Sequence, residues 1–195
     1  MKLKFPLIII CLAGSALVSY MHQHDIRMFY LRQYHLNLKK TTPEKALATA
    51  GKLFSDRKYE ALRDYSSSMS ALFPDNNALK KFLGIARLEL GDRISGAGLI
   101  LEGMEEPEED ESLYHRAISV FFEEGLYHNI IAELEKNPPG ADPVLHYFMG
   151  VSFYHTGNYR RSLSHLKKSE DRGNTSPEMY YYTGLCHEHM NEVKQ

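Results

Sequence analysis

The feature that most constrains the fold of this chain is a sequence period close to 34 residues. Residues of turn character recur at Arg57, Gly91, Gly125, Gly157 and Asn191, which are 34, 34, 32 and 34 residues apart. A fixed spacing of roughly 20–50 residues is typical of arrays built from one repeated supersecondary unit. Most of the chain is therefore predicted to fold as stacked units that share a continuous core.

A second set of glycines lies inside the segments that precede the turns. Gly84, Gly150 and Gly184 each stand seven residues before a predicted turn, in otherwise helical sequence. A glycine inside a helix costs roughly 1 kcal/mol relative to alanine, so we interpret these residues as positions where a second helix approaches closely. The turn glycines have a different role, because a left-handed backbone conformation that ends a helix favours Gly or Asn. Asn191 fits that second role.

Around each turn the residue types also recur. In the fourth unit the recurring residues are Tyr147, Gly150, Phe153, Gly157, Tyr159, Ser162 and Leu166. This pattern resembles the tetratricopeptide repeat (TPR), a helix–turn–helix unit of about 34 residues. The chain departs from the family pattern at Arg87 and Arg93, where an aromatic residue and a tyrosine are usual, and at Ile118, which replaces the packing glycine.

The resemblance implies an all-α fold, a TPR-like solenoid of about four helical hairpins and a C-terminal closing helix. The repeat domain covers 42–195, with units at approximately 43–76, 77–110, 111–142, 143–176 and 177–195. An N-terminal hydrophobic helix is expected before it.

Residues 1–21 have the composition of a membrane-targeting segment. Lys2 and Lys4 precede seventeen uncharged residues, 5–21, which as a helix would span about 25 Å. We favour an uncleaved signal anchor with the repeats outside the cytoplasm. A cleaved signal peptide, with its small residues at 14–16, and a lipoprotein signal lipidated at Cys11 are the alternatives.

Residues 22–41 form a predicted juxtamembrane helix or linker. It either continues the anchor and caps the first unit or lies at the membrane interface as an amphipathic helix.

The sequence contains no arrangement typical of catalysis, so we expect a protein that is not an enzyme and has no cofactor. The net charge of −2 gives no general attraction for nucleic acid, and no nucleic-acid partner is expected. Cys186, His187 and His189 lie together, but zinc needs three or four ligands in suitable geometry and the rest of the set is not visible, so no metal site is predicted. The acidic run 102–112 is interpreted as a solvated connection with acids at the next helix start, or as a contact for a basic partner.

The resemblance also implies a concave groove lined by the first helix of each unit. Transferred by register, the groove residues are Lys81, Ile85, Leu88, His115, Ser119, Phe122, Tyr147, Val151, Tyr154, Tyr181, Leu185 and Glu188. This set is largely aromatic and aliphatic, which suits capture of a peptide or helix. The Lys/Asn clamp with which some family members hold a C-terminal carboxylate is absent.

The predicted function is a membrane-tethered scaffold or adaptor that binds a protein or peptide partner through this groove. The resemblance implies a role in the assembly of an envelope or secretion complex. Two alternatives remain, a periplasmic helical module that binds a small ligand or lipid, and an accessory subunit of an enzyme complex.

Overall fold

The computed structural model describes Gln23 and residues 25–192, and all regular structure in this part of the chain is helical. Nine α-helices follow residue 42: α1 (Pro43–Ser55), α2 (Tyr59–Leu72), α3 (Asn77–Glu89), α4 (Arg93–Glu102), α5 (Glu111–Glu123), α6 (Tyr127–Lys136), α7 (Pro143–His155), α8 (Tyr159–Asp171) and α9 (Pro177–Glu192). A short 3₁₀ turn, Pro107–Asp110, precedes α5, and a π-helical turn, Gln33–Leu38, precedes α1. The predicted all-α class is confirmed.

The odd-numbered helices begin at regular intervals because each follows a capping side chain. Their first residues are 34, 34, 32 and 34 positions apart, the same spacing as the turn residues. The side chain before each start accepts a hydrogen bond from a backbone N–H of the first turn, and these residues are Thr42, Asn76, Asp110, Asp142 and Ser176. Such a cap satisfies a helical N–H that has no partner within the helix.

The turns between paired helices use a left-handed backbone at four predicted positions. Gly91, Gly125 and Gly157 have φ values of 91°, 70° and 77°, and Arg57 has a φ of 55°. The prediction of a fifth turn at Asn191 is wrong, since α9 continues through Asn191 to Glu192. This stretch has an asparagine where the other turns have mostly glycine, so the signal that ends a helix is weaker there.

Consecutive helices pack against each other along the chain, and some first helices also contact the next first helix. These longer contacts join α1 to α3, α5 to α7, and α7 to α9. The buried side chains form three clusters, the central one made largely by α4, α5 and α6 with parts of α3 and α7. The described chain is thus a linear series of packed helical pairs.

Two helical pairs are drawn together by small residues on facing positions. A Cβ atom placed on Gly84 of α3 would lie 2.7 Å from the carbonyl oxygen of Gly96 and 2.7 Å from the backbone nitrogen of Ile100 on α4. In the pair α7–α8, the same atom on Gly150 would lie 2.8 Å from the Leu166 side chain. There Ser162 Oγ donates a hydrogen bond of 2.8 Å to the Gly150 carbonyl.

The pair α5–α6 carries larger residues at the corresponding positions. Ile118 of α5 replaces the packing glycine, and Ile130 of α6 replaces the facing small residue; both are fully buried in the central cluster. Side chains of this size prevent the backbone contact seen between α3 and α4. Ile118 departs from the repeat pattern but is accommodated in the buried core, so the departure does not break the array.

Gly184 does not have the packing role that its position predicts. It is exposed on α9, and a Cβ atom there would meet nothing within 4 Å. No described helix follows α9, so no second helix covers this position. By contrast, the departure at Arg93 has a clear contact, because its guanidinium forms ion pairs with Glu123 and Glu124 at the end of α5.

The predicted anchor, residues 1–21, lies outside the described residues. Among the described helices none combines the length and apolar character needed to cross a bilayer. Residues 25–32 are helical, and Ile26, Phe29 and Tyr30 in this segment are exposed.

Candidate partner-binding surface

Three of the predicted groove residues lie in one connected group of aromatic side chains. The Phe122 ring of α5 and the Tyr147 ring of α7 have centroids 5.8 Å apart. Tyr154, two turns after Tyr147 on α7, contacts Tyr159 of α8 and Tyr182 of α9 at centroid distances of 5.8 and 5.2 Å. The rings thus link helices from three consecutive units.

We refer to this connected group as the aromatic strip. Ring contacts join all its members, which are Phe122, Tyr127, Tyr147, Phe148, Tyr154, His155, Tyr159, Tyr182 and His189. It runs from the end of α5 through α6, α7 and α8 to α9. Edge-on and offset ring pairs of this kind add roughly 0.5–1.5 kcal/mol each beyond their buried area, so the strip is held in a defined shape.

The strip lies at the boundary between core and solvent. Its tyrosines are half-buried, and His155 is exposed. Desolvation raises the pKa of Tyr147 to about 12, and burial lowers the pKa of His155. Both shifts favour the uncharged forms of Tyr147 and His155. The His155 ring lies parallel to the Tyr127 ring, with centroids 4.2 Å apart.

Six members of the strip are outside the predicted groove set, and they are Tyr127, Phe148, His155, Tyr159, Tyr182 and His189. Tyr127 and Tyr182 flank His155, which stacks on the first and lies 3.3 Å from the hydroxyl of the second. Tyr127 follows a turn glycine by two residues, a recurrent aromatic position that the sequence shows. Tyr182 is the neighbour in sequence of the predicted Tyr181.

Other predicted groove residues are buried and offer no surface to a partner. Val151 is 0% exposed and packs with Leu166 and Met179, while Leu88 and Ile85 are each only 7% exposed. The side chain of Val151 is covered because α7 packs closely against its neighbouring helices. These residues are core, and assigning them to an open groove was wrong.

The remaining predicted residues are accessible but lie apart from the strip or at its edge. Tyr181 is 63% exposed and contacts the strip through Tyr182, with ring centroids 5.5 Å apart. Glu188 is exposed on the same helix, and Lys81 is half-buried on α3. His115 lies at the start of α5 beside Asp142, with 2.6 Å between Nε2 and a carboxylate oxygen.

The arrangement suits binding through ring faces and phenolic hydrogen bonds. Tyrosine and phenylalanine supply large contact area with few rotatable bonds, which is why they are frequent where interfaces gain most of their affinity. Cys186 is buried and donates a hydrogen bond to Ser162 Oγ at 3.1 Å, so its role is helix packing.

The chain was also compared with protein-family models, with curated proteins and with solved structures, and none of the three comparisons gave a match. The TPR resemblance is neither supported nor contradicted by them.

Proposed function

We propose that this chain is a TPR-like array of about four helical hairpins with a closing helix, which binds a protein or peptide partner without catalysing a reaction. The regular starts of the odd-numbered helices and the close pairs at Gly84 and Gly150 support the repeat architecture. In such arrays the first helices share one face, which is commonly used for binding.

The observation that carries the proposal is the continuity of the aromatic strip across α5 to α9. A buried core does not require nine connected rings at its edge, and half-buried rings leave apolar area that a partner can cover. The expected partner is a segment with apolar or aromatic anchors, docked as a helix or an extended peptide. The phenolic hydroxyls would fix its orientation by hydrogen bonds.

The proposal is tested by replacing Tyr147 and Tyr154 together. Peptides that bind the purified chain are selected from a randomised phage-displayed library, and their affinities are then measured by fluorescence anisotropy. Loss of a buried aromatic anchor typically costs 2 kcal/mol or more, or roughly thirtyfold in affinity. The double variant Tyr147→Ala, Tyr154→Ala should bind at least thirtyfold more weakly than the wild type.

Two controls separate binding from folding. The variant Tyr147→Phe, Tyr154→Phe keeps the rings and their packing, so it should stay folded and lose less affinity than the alanine pair. Tyr180→Ala removes an exposed tyrosine of α9 that is no member of the strip, and its affinity should equal that of the wild type. Wild-type affinity in a folded alanine pair would contradict the proposal.

We further propose that residues 1–21 tether the array to a membrane, with the repeats on the extracytoplasmic side and a role in assembling an envelope or secretion complex. The basic start and the uncharged run 5–21 support the tether. The exposed Ile26, Phe29 and Tyr30, close to Arg27 and Arg32, suit a segment at the lipid headgroups.

An uncleaved tether should keep the protein in the membrane fraction after alkaline carbonate extraction. The intact mass of the protein in the membrane fraction should then equal that of a chain that begins at Met1. A released protein whose first residue lies near Leu17 would show cleavage and contradict the tether.

A further inference from the structure

A cleft of about 920 Å³ lies between the connection that follows α4 and the proline-rich connection that follows α6. It is on a different part of the molecule from the aromatic strip. Four carboxylates line it, from Glu105, Glu106, Glu111 and Asp142, and none of its described lining residues is a lysine or arginine. The cleft therefore has a negative potential and favours a cation.

Three side chains in this cleft converge on one point. Glu111 and His115 are one turn apart at the start of α5, so they share a face of that helix. Asp142 comes from the start of α7. One potential ligand atom from each of the three lies within 4.8 Å of the other two.

The Asp142 carboxylate is held in place by its role as a helix cap. Its Oδ1 accepts hydrogen bonds from the backbone N–H groups of Val144 and Leu145, at 2.7 and 3.0 Å. Oδ2 is left to face His115 and the cleft. The capping hydrogen bonds therefore fix Oδ1 and orient Oδ2 of Asp142 towards the cleft.

His115 contributes a nitrogen ligand beside the Asp142 carboxylate. Its Nε2 atom is shielded from solvent and lies 2.6 Å from Oδ2 of Asp142, the distance of an ion pair. A metal ion binds the deprotonated forms of both groups and releases the proton that they share. Nε2 and Oδ2 can then both direct lone pairs at the ion.

We propose that Glu111, His115 and Asp142 bind a divalent transition-metal ion, with Zn²⁺ the best fit. An imidazole nitrogen selects against Mg²⁺ and Ca²⁺, which prefer oxygen ligands only. Two carboxylates balance the charge of the ion, and three protein ligands leave a position for water or for a partner's side chain.

The spacing of the ligand atoms is compatible with zinc. Tetrahedral zinc with bonds of about 2.0–2.1 Å needs ligand atoms about 3.4 Å apart. The atoms of the three residues lie within 4.8 Å, and the Asp142–His115 pair has to open by less than about 1 Å. The ion would join the start of α5 to the start of α7.

The site is tested by titrating zinc into the chelator-treated full-length chain and measuring the heat of binding by isothermal titration calorimetry. One equivalent should bind to the wild type. Glu111→Gln and His115→Ala should each weaken zinc binding tenfold or more. Asp142→Asn should also weaken it, while keeping an oxygen that can cap α7, so circular dichroism should show an unchanged fold.

Two control variants distinguish this site from other sources of zinc binding. Glu106→Gln removes a carboxylate of the same cleft outside the three ligands and should leave the affinity within twofold of the wild type. The double variant Cys186→Ser, His189→Ala should also bind zinc with an affinity within twofold of the wild type. Saturating zinc should also raise the melting temperature of the wild type and not that of His115→Ala, because only a folded site binds the ion.

The assignment is overturned if the wild type binds no zinc, which would leave His115 and Asp142 as an ion pair only. It is also overturned if Glu106→Gln weakens binding as much as Glu111→Gln does, which would indicate a diffuse acidic surface. Loss of binding in the Cys186→Ser, His189→Ala variant alone would place the ion on α9 and likewise contradict the proposal.

Discussion

Replacing Gly84 by alanine should lower the free energy of unfolding by about 2 kcal/mol, although alanine is the better helix former. The added Cβ would lie 2.7 Å from the Gly96 carbonyl oxygen and the Ile100 nitrogen. Both are backbone atoms of α4, so the clash cannot be relieved by a side-chain rotation and the two helices must move apart. Urea denaturation followed by circular dichroism measures the loss.

Gly184 provides the matched control for this substitution. It occupies the corresponding position on α9 but has nothing within 4 Å of an added Cβ. Gly184→Ala should therefore gain the helical preference of alanine and stabilise the protein by up to about 1 kcal/mol. If both substitutions shift stability in the same direction by the same amount, the close approach of α3 and α4 is contradicted.

Acidification from pH 6.5 to 4 should destabilise the protein through a pair of neighbouring histidines. His146 Nδ1 lies 3.2 Å from His165 Nδ1. Desolvation, the nearby His146 and the cations Lys168 and Arg161 lower the pKa of His165 to about 4, against a smaller opposing effect of Glu135. Burial also lowers the pKa of His146.

The direction of the effect follows from which state binds the proton. In the folded protein His165 stays neutral down to about pH 4, whereas in the unfolded chain an ordinary histidine binds a proton near pH 6.5. The stability that His165 contributes is thus fully present above pH 6.5. It is lost as the pH falls towards 4, at up to about 1.4 kcal/mol per pH unit.

Denaturation curves at pH 7.5, 6.5, 5.5 and 4.5 measure this dependence. His165→Asn should be less stable than the wild type at pH 7.5, yet its stability should fall less steeply between pH 6.5 and 4.5. His187→Asn, which changes an exposed histidine of α9, should follow the wild-type slope. Parallel pH profiles for the wild type and His165→Asn would contradict the assignment.

Much of the helical organisation could be predicted because it depends on local signals. Turn residues such as Gly91 and Gly157 and the side chains that precede the odd-numbered helices act within a few positions of the chain. The period they generate is visible without knowledge of the packing. Asn191 and Gly184 were misjudged because their expected roles depend on a following helix, which the sequence pattern alone does not supply.

The candidate surface was predicted only in part because it depends on how helices are rotated in the packed array. Phe122, Tyr147 and Tyr154 were placed together by register, but Val151 on the same helix turned out to be core. On α9 it is Tyr182 whose ring contacts Tyr154, while the predicted Tyr181 is 63% exposed beside it. Helical periodicity defines a face to within about one residue, and tertiary packing decides which side of that face is covered.

The cleft containing His115 could not be anticipated from spacing. Asp142 is 27 residues from His115 in the sequence, and no short motif joins them. They meet because the connection between α6 and α7 returns the chain to the start of α5. The local cluster at Cys186 and His189 was the more visible candidate, yet Cys186 is engaged with Ser162 in the packing of α9 on α8.

Site-specific photocrosslinking tests most directly the central claim that partners dock on the aromatic strip. A benzophenone amino acid is placed at Tyr147 or Tyr182 in the strip, or at Arg160, an exposed residue of α8 outside it. Each protein is irradiated with a peptide selected on the wild type. The proposed function predicts strong crosslinks from the two strip positions and little from Arg160. Efficient crosslinking from Arg160, with none from Tyr147 or Tyr182, would contradict it.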